Sequence, residues 1–324
     1  MVLVYIGSDD PTRGDSHGFT GIGQRLAQKL GGEFHYLEGA HLDKLYPGET
    51  SKKVALERYF ADHKAPDIVL SRAWDEYAHW KKKPLMCITS INEFLASRYL
   101  GESINLVCHH LTPELLESEG KKFREHYPAL PSPLIAVMMV RIKNAQDFAE
   151  KLVSKCAAYP EAAIFLCGSR RTPEINYNHL TEALTGVIKE QGLGQRIKLA
   201  GYDFNSLRAA GSDSFNPYVG LLQEADHVIV CGESLSLISE PLAAGKPVMV
   251  YETFEYRDLK KKGLTLHFND CAARAPFETR KIEPVNITEK MAGTLARVFR
   301  RKAFWHNLNP FRWPKIRVPG KSTP

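Results

Sequence analysis

Residues 227–251 read HVIVCGESLSLISEPLAAGKPVMVY. The run from His227 to Cys231 carries Val228, Ile229 and Val230 in succession, which suits a buried strand. Gly232 interrupts it. Leu235 to Ala244 then has helical spacing, Gly245 closes that helix, and Val248 to Tyr251 is a second buried strand. A strand, a helix and a strand joined by short turns make a βαβ unit, whose strands run parallel in a covered sheet.

The same alternation extends outward in both directions. Leu134 to Val140 is a strand. Asn144 caps a helix through about Ala158, with Phe148, Leu152 and Cys156 on one face. Ala163 to Cys167 is a strand, Asn178 to about Gln191 a helix stopped by Gly192, Arg196 to Ala200 a strand, and Pro217 to Ala225 a helix. The first half repeats the grammar less densely. Met1 to Ile6 is a strand and Gly21 to Leu30 a helix ended by Gly31-Gly32. Ile68 to Leu70, Leu85 to Ile88 and Asn105 to Cys108 are short strands. The polar, proline-bearing stretch 118–133 is the expected linker. The expectation is an α/β protein of two Rossmann-like doubly wound domains facing a cleft: an N-terminal domain over 1–130, a C-terminal domain over 131–296, and a basic aromatic tail over 297–324.

Composition bounds the function classes. The 324 residues are 44% hydrophobic and 25% charged, the values of a globular chain. No apolar run approaches the ~20 residues that cross a bilayer, and the first residues have no basic segment or cleavage site, so no signal peptide is expected. The cysteines at 87, 108, 156, 167, 231 and 271 form no CxxC pair and sit mostly in apolar runs. That fits a reducing, cytoplasmic setting without a disulfide framework. His109-His110 is a poor metal pair, because adjacent strand residues point to opposite faces; no metal and no bound cofactor are expected. Of the 43 Lys and Arg residues, eight lie in 297–324, which holds no Asp or Glu. The rest of the chain is close to neutral, so a general nucleic-acid surface is not indicated. The tail interleaves those cations with Phe299, Phe304, Trp305, Phe311 and Trp313. It suits either a peripheral contact with an anionic membrane on its inner face or packing back onto the N-terminal domain.

In open α/β sheets ligands bind beyond the carboxyl ends of the strands. Two such loops stand out. Gly168-Ser169-Arg170-Arg171-Thr172-Pro173 offers a glycine turn, two hydroxyls and two guanidinium forks, which suit phosphate or carboxylate. Gly232-Glu233-Ser234-Leu235-Ser236 opens a helix whose N-terminus favours an anion, with Glu240 inside that helix and Lys246 just after it. Other readings are weaker. No GxxxxGK[ST] or HExxH occurs, and Gly21-Ile22-Gly23 lacks the third glycine of a dinucleotide fingerprint. The serine loop is one residue short of a GxSxG nucleophile elbow, with His267 and Asp258 or Asp270 downstream, but Ser236 crowds the turn.

GSRRTP at 168–173, Asn216-Pro217-Tyr218, and CGESLSLISEPLAAGKPVMVY at 231–251 together resemble the "elongated mitochondria" (mitochondrial fission) family, a branch that looks like the GT-B glycosyltransferases. Asp9 to Leu30 resembles its first loop and helix. The resemblance implies a nucleotide-sugar donor on the C-terminal domain and an acceptor on the N-terminal one, without a bound metal. Gly168, Ser169, Arg170, Arg171 and Thr172 would lie by the diphosphate or sugar. Ser234 and Ser236 would face the phosphates, and Glu240 would take the ribose, with Lys246 completing the set. Asp9, Asp10, Asp15 and His17, in the first N-domain loop, are the candidates for the catalytic base that deprotonates an acceptor hydroxyl. Three departures stand out. Glu233-Ser234 replaces Asp-Ser, Pro241 replaces a small residue, and Arg141-Ile142-Lys143 replaces a glycine pair. The expected function is glycosyl transfer to an envelope or lipid-linked acceptor. The alternative is a non-catalytic adaptor of the fission type, recruiting a dynamin-related protein at a membrane surface.

Overall fold

The computed structural model describes residues 2–6, 14–37, 39–49, 52–63, 66–70, 86–88, 106–205, 215–253, 257–271, 277 and 282–308. The chain divides into two compact units, residues 1–110 with 286–324, and residues 111–285. The boundary expected near residue 130 therefore falls at 110–111, and the described start of the expected tail, through Leu308, belongs with the N-terminal unit.

The first unit holds a parallel sheet of β1 (Val2–Ile6), β2 (Glu33–Leu37), β3 (Ile68–Leu70) and β4 (Met86–Ile88), in the order β2-β1-β3-β4. The strand order reverses between β1 and β3. Helix α1 (Gly14–Leu30) buries Phe19, Ile22 and Leu26, spaced for one helical face. It ends at Gly31, with φ +63°, while the Gly32 amide donates to Ala27 O at 2.9 Å. Glycine inside a helix costs roughly 1 kcal/mol against alanine, and the structure shows what Gly21 and Gly23 gain. A Cβ on Gly21 would meet the His109 carbonyl oxygen, and one on Gly23 would overlap the Phe34 ring. The GxG run is thus a packing device of α1, not a nucleotide loop. Helices α2 (Gly39–Leu45) and α3 (Lys52–Asp62) complete this side; Leu37, Leu42, Leu56 and Val69 form one cluster. Residues 106–110 carry no strand, against the expectation for 105–108.

The second unit begins where a linker was expected. Thr112 caps α4 (Pro113–His126) by accepting from Leu115 N at 3.1 Å, with proline in the first turn. Its Phe123 is fully buried against Phe165. The sheet is six parallel strands: β5 (Leu134–Met139), β6 (Ala162–Gly168), β7 (Ile197–Asp203), β8 (His227–Cys231), β9 (Val248–Tyr251) and β10 (Thr265–His267), in the order β10-β9-β8-β5-β6-β7. Counted within the unit this is 6-5-4-1-2-3, the doubly wound order whose crevice opens where the sequence of strands reverses, here between β5 and β8. Every residue of β5, β6 and β8 is buried, as a sheet covered on both faces requires. The crossovers run through α5 (Ala145–Cys156), α6 (Glu174–Glu190), α7 (Tyr218–Glu224), α8 (Leu235–Ala243) and α9 (Arg257–Lys261).

The last helix, α10 (Ile287–Leu308), absorbs the start of the expected tail. It packs on α1, burying Met291, Ala292, Leu295, Ala296 and Phe299. Glu289 meets Arg25 at 3.5 Å and also pairs with Lys29. Phe299 packs back, whereas Phe304 is 59% exposed. Phe311, Trp313 and the cations beyond 308 lie outside the described residues. No described helix is long and apolar enough to cross a membrane.

Candidate functional site

The loops that follow β5, β6, β8 and β9 are tied to one another at the carboxyl edge of the second sheet. Gly232 makes this possible in two ways. Its φ is +85°, a conformation costly for other residues, and a Cβ there would stand 2.9 Å from both Arg141 N and Arg141 O. The amides of Val140 and Arg141 donate to Cys231 O at 2.9 and 3.3 Å, and Gly232 N donates to Tyr251 O at 3.0 Å. The β5 and β8 loops are therefore drawn together at the point where the strand order reverses.

The β6 loop is locked from inside. Thr172 is buried; its hydroxyl donates to Met139 O and accepts from Ser169 N, the latter at 2.8 Å. Thr172 is thus a latch holding the loop shape, not a hydroxyl open to a ligand. Arg170 and Arg171 remain exposed, and Arg171 Nη2 donates to Glu233 O at 3.1 Å, joining the β6 and β8 loops. Gly168 ends β6 against Asp203; a Cβ would come 2.8 Å from Asp203 Oδ1. Arg141 and Lys143, also exposed, add two cations to this edge, and Glu252 accepts from Lys143 N at 2.7 Å. The tripeptide that replaces the glycine pair thus brings charge to the rim.

Ser234 is buried and extended, and caps α8 by accepting from Leu237 N at 3.4 Å. Ser236 is half-buried in the first turn of α8. The nucleophile-elbow reading finds no support here. Ser234 Oγ accepts the cap bond of α8, His267 Nδ1 accepts from Asn269 N at 3.2 Å, and Asp270 pairs with Lys260 at 2.9 Å, so none of the three is paired with another.

Deeper in α8, Glu240 is 3% exposed and its Oε2 accepts a hydrogen bond from the Tyr218 hydroxyl. Burial pushes the Glu240 carboxyl up from 4.5 to about 7, and the Tyr218 hydrogen bond pulls it partly back. The same burial, and then the carboxylate beside it, hold the Tyr218 phenol protonated far above neutrality. Tyr218 was quoted in the sequence only as part of a motif; its role as partner to Glu240 carries no local sequence signal, because 22 residues separate them. Lys246 does not join this group. It precedes β9 at the opposite edge of the sheet, and its Nζ donates to Gln223 O at 2.5 Å.

In the first unit, His17 lies in the first turn of α1 and its ring stands 4.3 Å from that of His110. Burial, then the neighbouring His17 and Arg25, pull His110 down to about 4, so its imidazole is neutral at pH 7. His109 is buried, and Thr288 Oγ1 bridges its backbone, accepting from N at 2.8 Å and donating to O at 3.0 Å. Asp15 belongs to α1, but its side chain, like the whole of Asp9 and Asp10, lies outside the described residues. In the sequence His110 stands out only as half of a poor metal pair. Among the described residues no group of three His, Cys, Asp or Glu is placed to hold a metal ion.

The mitochondrial fission ELM1 family pattern matches residues 103–299. The mitochondrial fission protein ELM1 of Arabidopsis thaliana is 25% identical over 197 residues, 58% of this chain and 43% of that protein. An uncharacterized protein of Rickettsia prowazekii is 26% identical over 49% of this chain and 42% of its own length. The chain thus spans less than half of either relative. Among solved structures, a glycosyltransferase of Rickettsia africae covers 94% of this chain and 93% of its own, at 14% identity and a TM-score of 0.43. Anabaena HepE in complex with UDP-glucose covers 93% and 95%, at 12% identity and a TM-score of 0.36. Likenesses at that level carry no functional argument. The match over more than half of the chain, which takes in the whole second unit and most of α10, shows the family instead: this chain belongs to the mitochondrial fission ELM1 family.

Proposed function

We propose that the chain transfers a sugar from a nucleotide-activated donor held by its second unit. The observation that carries this reading is Glu240, a carboxyl buried in the helix that opens at the strand-order reversal. Hydroxyl groups of a ribose are what such a carboxylate accepts from, and a diphosphate suits Arg170, Arg171 and the first turn of α8. In this reading the acceptor oxygen forms a bond to the sugar carbon and the bond from that carbon to the donor phosphate breaks. The diphosphate leaves with the electron pair, stabilised by the two guanidinium groups. The acceptor's proton passes to a general base. Asp9, Asp10, Asp15 and His17 remain the candidates. The acceptor is envelope-type or lipid-linked, met at a membrane surface through the cations of α10 and the residues beyond it.

A second reading, an adaptor that recruits a dynamin-related protein, is favoured by the match to a plant fission protein. Calorimetric titration with UDP, GDP, CMP and ADP separates the two. Specific binding of one nucleotide, lost in Glu240→Ala, supports the transferase. No binding by a folded protein favours the adaptor.

A further inference from the structure

Glu240 cannot orient itself. It lies in an apolar helix, and none of the titratable groups beside it in the described structure is a cation. Helix α7 brings Tyr218 and β6 brings Cys167, and β7 brings Tyr202 beside Tyr218. Each is held in its neutral form at pH 7, chiefly by burial; Cys167, for one, is pushed up to about 12. The only hydrogen bond to the carboxylate in the described structure comes from Tyr218, to Oε2.

Both partners stand on fixed backbone. Asn216 Oδ1 accepts from Tyr218 N at 3.0 Å, which sets the start of α7. Leu221 and Leu222 anchor that helix in the core, and Gly220 brings it against α4, where a Cβ would meet Glu119 O. On the other side, the Glu240 carbonyl accepts from Ala244 N at 3.0 Å and the Pro241 carbonyl from Lys246 N at 2.9 Å, closing α8. A phenol with two side-chain torsions on one rigid helix therefore meets a carboxylate on another.

We propose that Tyr218 is a positioning residue: its hydroxyl holds Glu240 by Oε2 and so presents Oε1 to a vicinal diol of the ribose type. This rests on the donor reading above. Tyr218 also favours the charged carboxylate, the form that accepts from both diol hydroxyls. Removing the phenol both frees the rotamer and drives the carboxyl further toward its protonated state.

The test measures affinity for the nucleotide diphosphate that the wild type binds, and for its 2′-deoxy form, between pH 5.5 and 8.5. The variants are Tyr218→Phe, Glu240→Gln and the double substitution, each checked by circular dichroism. The wild type should prefer the ribonucleotide about tenfold and bind it more tightly as pH rises through about 7. Tyr218→Phe should lose the ribose preference at pH 7 and move the pH midpoint upward. In Glu240→Gln the pH dependence of the ribose preference should vanish, and adding Tyr218→Phe to it should change little, so the two effects are not additive. That pairing also keeps the test open if Tyr218→Phe alone folds poorly, since the double variant buries no charge. Equal weakening of ribo- and deoxynucleotide by Tyr218→Phe at every pH would make Tyr218 merely structural and overturn the inference alone. Failure of the wild type to bind any nucleotide overturns the donor reading and this inference together.

Discussion

A carboxyl that titrates near 7 inside a folded domain makes stability depend on pH, and the size follows from the structure. Glu240 rises from 4.5 to about 7 on burial. At about 1.4 kcal/mol for each tenfold change, that corresponds to about 3 kcal/mol between folded and unfolded states. Below pH 4.5 the group is protonated in both states and its contribution to stability is fully present. Between 4.5 and 7 the unfolded chain gives up the proton that the folded chain keeps, so stability falls as pH rises. Above 7 the loss is complete. Glu240→Gln keeps the shape and the acceptor for Tyr218 but cannot titrate, so any packing cost it carries is the same at every pH. The stability of the variant minus that of the wild type should therefore climb by about 3 kcal/mol from pH 4 to pH 8. Urea unfolding by far-ultraviolet circular dichroism is the assay. Tryptophan emission will not serve, because Trp74, Trp80, Trp305 and Trp313 all lie outside the 111–285 unit. A difference that stays constant within about 0.5 kcal/mol over that range would refute the claim that Glu240 is folded as a buried, largely unpaired acid.

Gly232→Ala combines a positive φ with a contact at 2.9 Å, and should cost at least about 1–3 kcal/mol in thermal unfolding. Arg170→Ala with Arg171→Ala should weaken a nucleoside diphosphate by roughly 10–100-fold in calorimetry while leaving the bare nucleoside unaffected. Phe123→Ala, a fully buried ring on α4, should lower the stability of the 111–285 unit by about 3–5 kcal/mol, read by urea unfolding.

The second unit was legible because its central strands are buried on both faces. LIAVMM at 134–139 and HVIVC at 227–231 read as continuous apolar runs, and the structure places both as strands. The segment 118–133 misled because α4 shows most of its length to solvent; its charges are a helix surface, and only Leu116, Gly120 and Phe123 face inward. In the same way, Arg297 to Leu308 read as a tail by its charge, although Phe299 continues the spacing of Met291 and Leu295 toward α1. Within the site, loops adjacent to their strands were readable, since Gly168 and Gly232 mark strand ends. What sequence spacing could not show was which hydroxyls are consumed by the fold. Thr172 and Ser234 have the chemistry of ligand contacts, yet one latches a loop and the other caps a helix. Lys246 was grouped with Glu240 by proximity in the chain, but the length of α8 carries it to the other edge of the sheet.

The cost of Glu240 bears on the choice between enzyme and adaptor. An apolar side chain of similar size at that position would remove a penalty of about 3 kcal/mol at neutral pH, and buried charges are commonly replaced at a gain in stability. A docking surface draws on exposed groups and gains nothing from a carboxyl that is 3% exposed. A donor site does gain. A carboxylate kept from bulk water binds hydroxyl groups more strongly than one in solvent, provided something holds it in place. Tyr218 supplies that hold. Active sites that need a destabilising group keep it at a cost in stability, and α8 carries Glu240 in the helix that starts where the strand order reverses. In the donor reading the burial that lowers stability is also what would make the site selective, which is why the ribose-against-deoxyribose comparison tests it more sharply than affinity alone.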